Sequence, residues 1–156
     1  IDADGLNNLD DELKKLLSLR HVLTPHPGEM ARLTGKSIED VLRDPAGFAE
    51  NTAKAFGCIV LLKGAVSVAA HPDGRLRYNA SGNPGLAKGG SGDVLTGIIT
   101  ALLAQGLEPF DAASAGAYIL GSSAESALEL LHERALTAGD VLDAIEKTAD
   151  ITEHRN

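Results

Sequence analysis

The spacing of hydrophobic residues changes along this chain, and each change predicts an element. Leu6, Leu9, Leu13, Leu16 and Leu17 recur three or four residues apart among polar neighbours, which predicts a helix over 6–19 with one buried face. His21-Val22-Leu23-Thr24 reads as a short strand that stops at Pro25-His26-Pro27-Gly28. Residues 29–33 begin a helix that Gly35 closes, and 37–56 read as helix interrupted at Asp44-Pro45, with Ser37 as N-cap and Gly57 as stop. Cys58-Ile59-Val60-Leu61-Leu62 is apolar without a break, the pattern of a strand covered on both faces. Segments 66–70 and 75–80 flank His71-Pro72-Asp73-Gly74, the turn of a β-hairpin that leaves His71 exposed. Three helices follow, over 94–103, 109–132 and 138–148. Gly106 ends the first, Thr137 caps the last, and the polar tail after Asp150 is expected to fray.

Strands alternating with helices, one strand being wholly apolar, indicate an α/β layered fold with a mostly parallel sheet. Ligands in such folds gather at the carboxyl ends of the strands. His26, Lys63 and Asp93 all follow strands or loops directed to that end, so they are expected to share one cleft. The helix over 109–132 carries Ala112, Ala113, Ala115, Gly116, Ala117 and Gly121, a surface small enough for close packing of a neighbour.

The chemistry concentrates at 83–97, N-P-G-L-A-K-G-G-S-G-D-V-L-T-G, where a glycine-rich loop runs into an apolar helix. Glycines let the backbone approach a ligand, and a helix start presents unpaired N–H groups and the positive end of its dipole. The amides of Gly90, Ser91 and Gly92 therefore form a candidate anion hole for phosphate. Asp93, in the first helical turn, is placed either to accept a proton from a hydroxyl attacking phosphorus or simply to cap the helix. Two further residues also have two readings. Prolines on both sides of His26 hold its imidazole on a rigid turn, for ligand contact or for structure. Lys63, at a strand end, either reaches a nucleotide phosphate or stays solvated. The loop is no Walker A motif, because Lys88 precedes the glycines and no Lys-Ser/Thr follows them; nor does it read G-x-G-x-x-G.

Composition narrows the partners. The 156 residues, 44% hydrophobic, suffice for one core and one domain. The formal net charge of −8 is uneven: 1–78 holds 10 basic and 11 acidic residues, 79–156 holds 4 and 11. An acidic surface with 3% aromatic residues and no Trp argues against nucleic acid. Cys58 stands alone, which excludes a disulfide framework and is read as a buried thiol. No apolar run reaches the roughly 18 residues of a membrane span, and the cytoplasm is the expected compartment.

Taken together, L-T-P-H-P-G-E at 23–29, L-K-G-A at 62–65 and the 83–97 stretch resemble the ADP/ATP-dependent NAD(P)HX dehydratases of the ribokinase-like superfamily, and Asp2-Ala3-Asp4 with Asn7 also fits. The resemblance covers nearly the whole chain, although the G-x-G-D element is shared by many ribokinase-like kinases. It implies a ribokinase-like three-layer αβα sandwich and repair of hydrated NADH or NADPH (NADHX, NADPHX). A nucleotide phosphorylates the C6 hydroxyl of the damaged ring, and loss of phosphate restores the double bond. By motif, Asp93 becomes the catalytic base and contacts the substrate together with His26. Lys63, Gly64, Ala65, Val66, Ser67 and Gly92 line the nucleotide site. ADP or ATP is the phosphoryl donor, magnesium (Mg2+) bridges its phosphates, and a homo-oligomer, a tetramer, is expected. Family members carry further residues upstream, so 1–156 reads as the C-terminal portion of the domain. Competing readings are a ribokinase-like small-molecule kinase and a non-catalytic nucleotide-binding fragment.

Overall fold

The computed structural model describes residues 1–129 and 131–153, the side chains of 147–153 excepted. Strand β2 (Ile59–Leu62) is buried along its whole length and divides two hydrophobic cores. Because successive side chains on a strand point to opposite faces, Ile59 and Leu61 enter one core and Val60 and Leu62 the other. Helices α6 (Ser91–Ala104), α7 (Pro109–Ala127) and α8 (Ala138–Glu153) cover the first face through residues such as Leu95, Ala113 and Val141. Helices α3 (Pro27–Thr34), α4 (Ile38–Arg43) and α5 (Pro45–Phe56) cover the second through Met30, Val41 and Ala53. The result is three layers, helix on sheet on helix.

The sheet runs β1-β2-β3-β4 and is mixed, not mostly parallel as expected, because the hairpin makes two of its three pairings antiparallel. Its parallel part is β1 (Val22–Leu23) against β2, in the register Val22↔Ile59, with α3, α4 and α5 forming the crossover. The hairpin read from the sequence supplies the antiparallel part: β3 (Ser67–Ala70) pairs with β2 at Leu62↔Val68, and β4 (Leu76–Asn79) pairs with β3 at Val68↔Tyr78.

Local chemistry sets most boundaries. Ser37 and Asp44 cap α4 and α5, and Gly35 and Gly57 end α3 and α5 in the left-handed conformation that glycine adopts without a Cβ penalty. Small residues on α7 do permit close approach. A Cβ on Gly116 would stand 2.6 Å from Cγ1 of Ile99 on α6, and one on Gly121 would stand 2.6 Å from the Ser81 backbone.

Several expectations need correction. The helix over 6–19 is two single turns, α1 (Asp4–Asn7) and α2 (Asp11–Lys14). Asp10 is the cause of the break, because its carboxylate caps a fresh start by accepting from the N–H groups of Glu12 and Leu13. Leu13, Leu16 and Leu19 are therefore exposed, and only Leu6 of α1 and α2 is buried. His71 is not an exposed turn residue: its side chain is 16% exposed and meets Phe110 edge-on, with ring centroids 5.7 Å apart. Helix α7 ends at Ala127, short of the expected 132, and Leu130 lies outside the described residues. Helix α8 runs past the expected 148 to Glu153; of the tail after Asp150, residues 154–156 lie outside the description.

Candidate active site

Two strand ends, a rigid turn and the start of α6 meet around a cavity of about 770 Å³. After β1, the turn of Pro25 and Pro27 presents His26. Its ring caps α3, with Nδ1 accepting from the N–H groups of Gly28 (3.0 Å) and Glu29 (3.3 Å). Glu29 returns the bond, its Oε2 accepting from the His26 N–H at 2.8 Å. Since Nδ1 is an acceptor, the neutral imidazole carries its proton on Nε2. The ring is half exposed and lines the cavity.

After β2, Lys63 reaches into the floor of the same space. Its Nζ lies 2.7 Å from Oδ1 of Asp2 and 4.0 Å from Oε2 of Glu29, and its side chain is 22% exposed. The Thr24 N–H donates to the Ile1 carbonyl at 3.1 Å, which seats Asp2 beside β1. The other oxygen of Asp2 accepts from Thr96 Oγ1 on α6 at 3.4 Å. Burial pushes the Asp2 carboxyl up, but hydrogen bonds from Lys63 and Thr24 and the lysine's charge outweigh it and hold the group below the ordinary aspartate value.

Gly90 begins α6 with φ 93°, which favours glycine. Gly92 is glycine for a different reason, space: a Cβ there would stand 3.2 Å from Oδ2 of Asp2 and 3.5 Å from Nζ of Lys63. The glycine loop is pinned by Lys88, which also lines the cavity and whose Nζ donates to the carbonyls of Arg134 (2.7 Å) and Leu136 (2.9 Å).

Of the residues expected to form the site, the fold brings His26, Lys63, Gly64, Ala65, Ser67, Ser91 and Gly92 to the cavity wall. Three stand outside it. Val66 is 46% exposed at the loop before β3, Gly90 lies behind Ser91 as the N-cap, and Asp93 is exposed on the outer side of the first turn of α6. Sequence reasoning missed the rest of the wall, which includes Asn79, Ser81, Asn83 and, packed against this loop, Leu120 and Gly121 of α7. Asn83 carries a signal of its own, as an N-cap whose Nδ2 is buried and, among the described residues, without a hydrogen-bond partner. Glu29 could have been found as the N3 acid of a capping box, had histidine been counted among the caps.

This architecture is that of the ribokinase-like α/β proteins. An *Enterococcus faecalis* ribokinase-like protein superposes with a TM-score of 0.77 over 97% of this chain and 51% of its own, at 25% identity. The *Bacillus subtilis* ADP/ATP-dependent NAD(P)H-hydrate dehydratase, co-crystallised with ATP/Mg2+, superposes with a TM-score of 0.80 at 35% identity, over 83% of this chain and 47% of that one. The family described as NAD(P)H-hydrate dehydratase matches residues 1–147, and the chain belongs to it. Among curated relatives, the bifunctional NAD(P)H-hydrate repair enzyme Nnr of *Moorella thermoacetica* is 47% identical over 145 residues, which are 92% of this chain and 27% of that enzyme. The ADP-dependent (S)-NAD(P)H-hydrate dehydratase of *Neisseria meningitidis* is 44% identical over 149 residues, 92% of this chain and 50% of that one. The chain thus spans half or less of the length of these relatives.

Proposed function

We propose that the full-length protein carrying this chain dehydrates NADHX or NADPHX at the expense of ADP or ATP. One observation carries the reading: Lys63, the first turn of α6 and the His26 turn border a single cavity. An ammonium beside helix N–H groups is a phosphate-binding arrangement. The names of the relatives supply the substrates, and the *B. subtilis* enzyme was crystallised with ATP/Mg2+.

In this reading the donor's phosphates lie against Lys63 and the amides of Ser91 and Gly92, with the loop 64–67 beneath the nucleotide. Asp93, on the outer side of the same helical turn, faces the acceptor. In-line transfer needs acceptor and donor on opposite sides of phosphorus, and two sides of one helix start provide that. The carboxylate takes the hydroxyl proton as the C6 oxygen bonds to phosphorus and the donor's phosphate oxygen leaves. Loss of the new phosphate and of a ring proton restores the double bond. The hydrated dinucleotide extends from Asp93 over the start of α6 to the cavity rim, where His26 offers it Nε2–H.

Among the described residues, no three His, Cys, Asp or Glu side chains converge as a metal cage requires. In this reading magnesium would enter with the nucleotide and help neutralise its phosphates, and no step here runs through it. Among the described residues, no helix is long and apolar enough to cross a membrane. The same reading makes the protein a cytoplasmic homo-oligomer, a tetramer.

The test is turnover of hydrated NADH with ADP or ATP by the full-length protein, followed as recovery of NADH absorbance. Recovery that depends on the nucleotide supports the proposal. Phosphorylation of a hydroxymethyl substrate without recovery would instead favour a small-molecule kinase.

A further inference from the structure

The Asp2 carboxylate poses a problem for the anion site above. It lies within contact distance of the first turn of α6, yet a negative charge there opposes phosphate. It does not line the cavity that Lys63 and Gly92 border. Its two oxygens are both engaged, Oδ1 by Lys63 at 2.7 Å and Oδ2 by Thr96 at 3.4 Å. The pair sits directly under Gly92, where a Cβ would press on Asp2 Oδ2 at 3.2 Å and touch Lys63 Nζ at an ordinary 3.5 Å.

We propose, resting on the nucleotide reading above, that Asp2 is a positioning residue for the phosphoryl donor. It fixes the Lys63 ammonium at one distance from the α6 amides, so that cation and helix start present a single preformed phosphate cradle. A lysine side chain otherwise spreads over many rotamers, and ordering it on binding costs affinity. Glu29 cannot substitute for Asp2. It stands 4.0 Å from Nζ and is committed to the His26 N–H at 2.8 Å. Thr96 completes the device by tying the carboxylate to α6, so the strand end and the helix start keep one spacing.

The experiment compares Asp2→Asn, Lys63→Met and the double variant in the full-length protein, with donor KM, acceptor KM and kcat measured well below every thermal transition. Asp2→Asn raises donor KM about tenfold, the effect of one misplaced charge contact, and leaves acceptor KM within about twofold. On the Lys63→Met background the same substitution changes donor KM less than about twofold, because the residue it positions is gone. A residue with only a structural role would add its effect in both backgrounds. Equal effects in the two backgrounds, or an unchanged donor KM, overturn the inference and leave the proposed function standing. If the unmodified protein shows no saturable dependence on ADP or ATP, the proposed function fails and takes this inference with it. Should Asp2→Asn not fold, Thr96→Val gives the same reading by releasing Oδ2. Donor KM rises about threefold, and only while Lys63 is present; no rise overturns the inference.

Discussion

The ammonium of Lys63 lies 2.7 Å from the carboxylate of Asp2, 61 residues earlier in the chain, and this contact joins the ends of two segments beneath the start of α6. The pair has a pH signature. The folded-state pKa of Asp2 is lowered, so its contribution to stability is fully present above the unfolded value of about 4 and is lost as pH falls through the lowered folded value. The stability difference between the unmodified chain and Asp2→Asn is expected to be constant at neutral pH and to shrink below about pH 4. Thermal denaturation from pH 7 to pH 3 measures it.

Gly121 holds α7 against the loop that walls the cavity. An added Cβ would stand 2.1 Å from Ser81 Oγ and 2.6 Å from its backbone, which cannot swing aside. Gly121→Ala is expected to destabilise by about 1–3 kcal/mol, overriding the gain of up to about 1 kcal/mol in helix propensity. Denaturant unfolding checks the sign, and Gly97→Ala, with nothing within 4 Å of the new Cβ, is the control that should not destabilise.

His26 caps α3 and lines the cavity, and substitution can separate the cap from the proposed substrate contact. His26→Ala removes the cap of α3 and is expected to cost about 0.5–2 kcal/mol, whereas His26→Asn keeps a capping side chain and most of that stability. Both remove the imidazole from the cavity wall. Unfolding free energies should therefore differ between the two variants while acceptor KM rises in both.

Cys58 is fully buried, and burial pushes its thiol up to about 12. It should react with a thiol reagent at pH 8 only as fast as the chain opens, since the thiolate is the reactive form. Denaturant should accelerate the labelling to the rate of an exposed cysteine.

The fold was legible where one pattern dominated. The apolar run at Cys58–Leu62 announced a strand covered on both faces, and the Pro72-Asp73-Gly74 turn announced the hairpin. Over 6–19 two signals conflicted. Leucine spacing favoured one helix, but a local cap at Asp10 restarted the chain, and Leu13, Leu16 and Leu19 were left in solvent. Within the site, His26, Lys63 and Gly92 were legible because prolines, a strand end and glycines mark them locally. The Asp2–Lys63 pair was not, since no local pattern reveals a partner 61 residues away. Asp93 shows the remaining limit: adjacency to Gly92 in sequence puts it about 100° around the helix, outside the cavity that Gly92 lines.

The most direct test of the account is Asp93→Asn in the full-length protein, assayed for calorimetric ADP or ATP binding and for turnover of hydrated NADH. With the donor on the cavity side of α6 and the base on the other, nucleotide affinity should stay within about threefold while turnover falls by about 100-fold or more. Loss of nucleotide binding together with turnover, or turnover left intact, would contradict it.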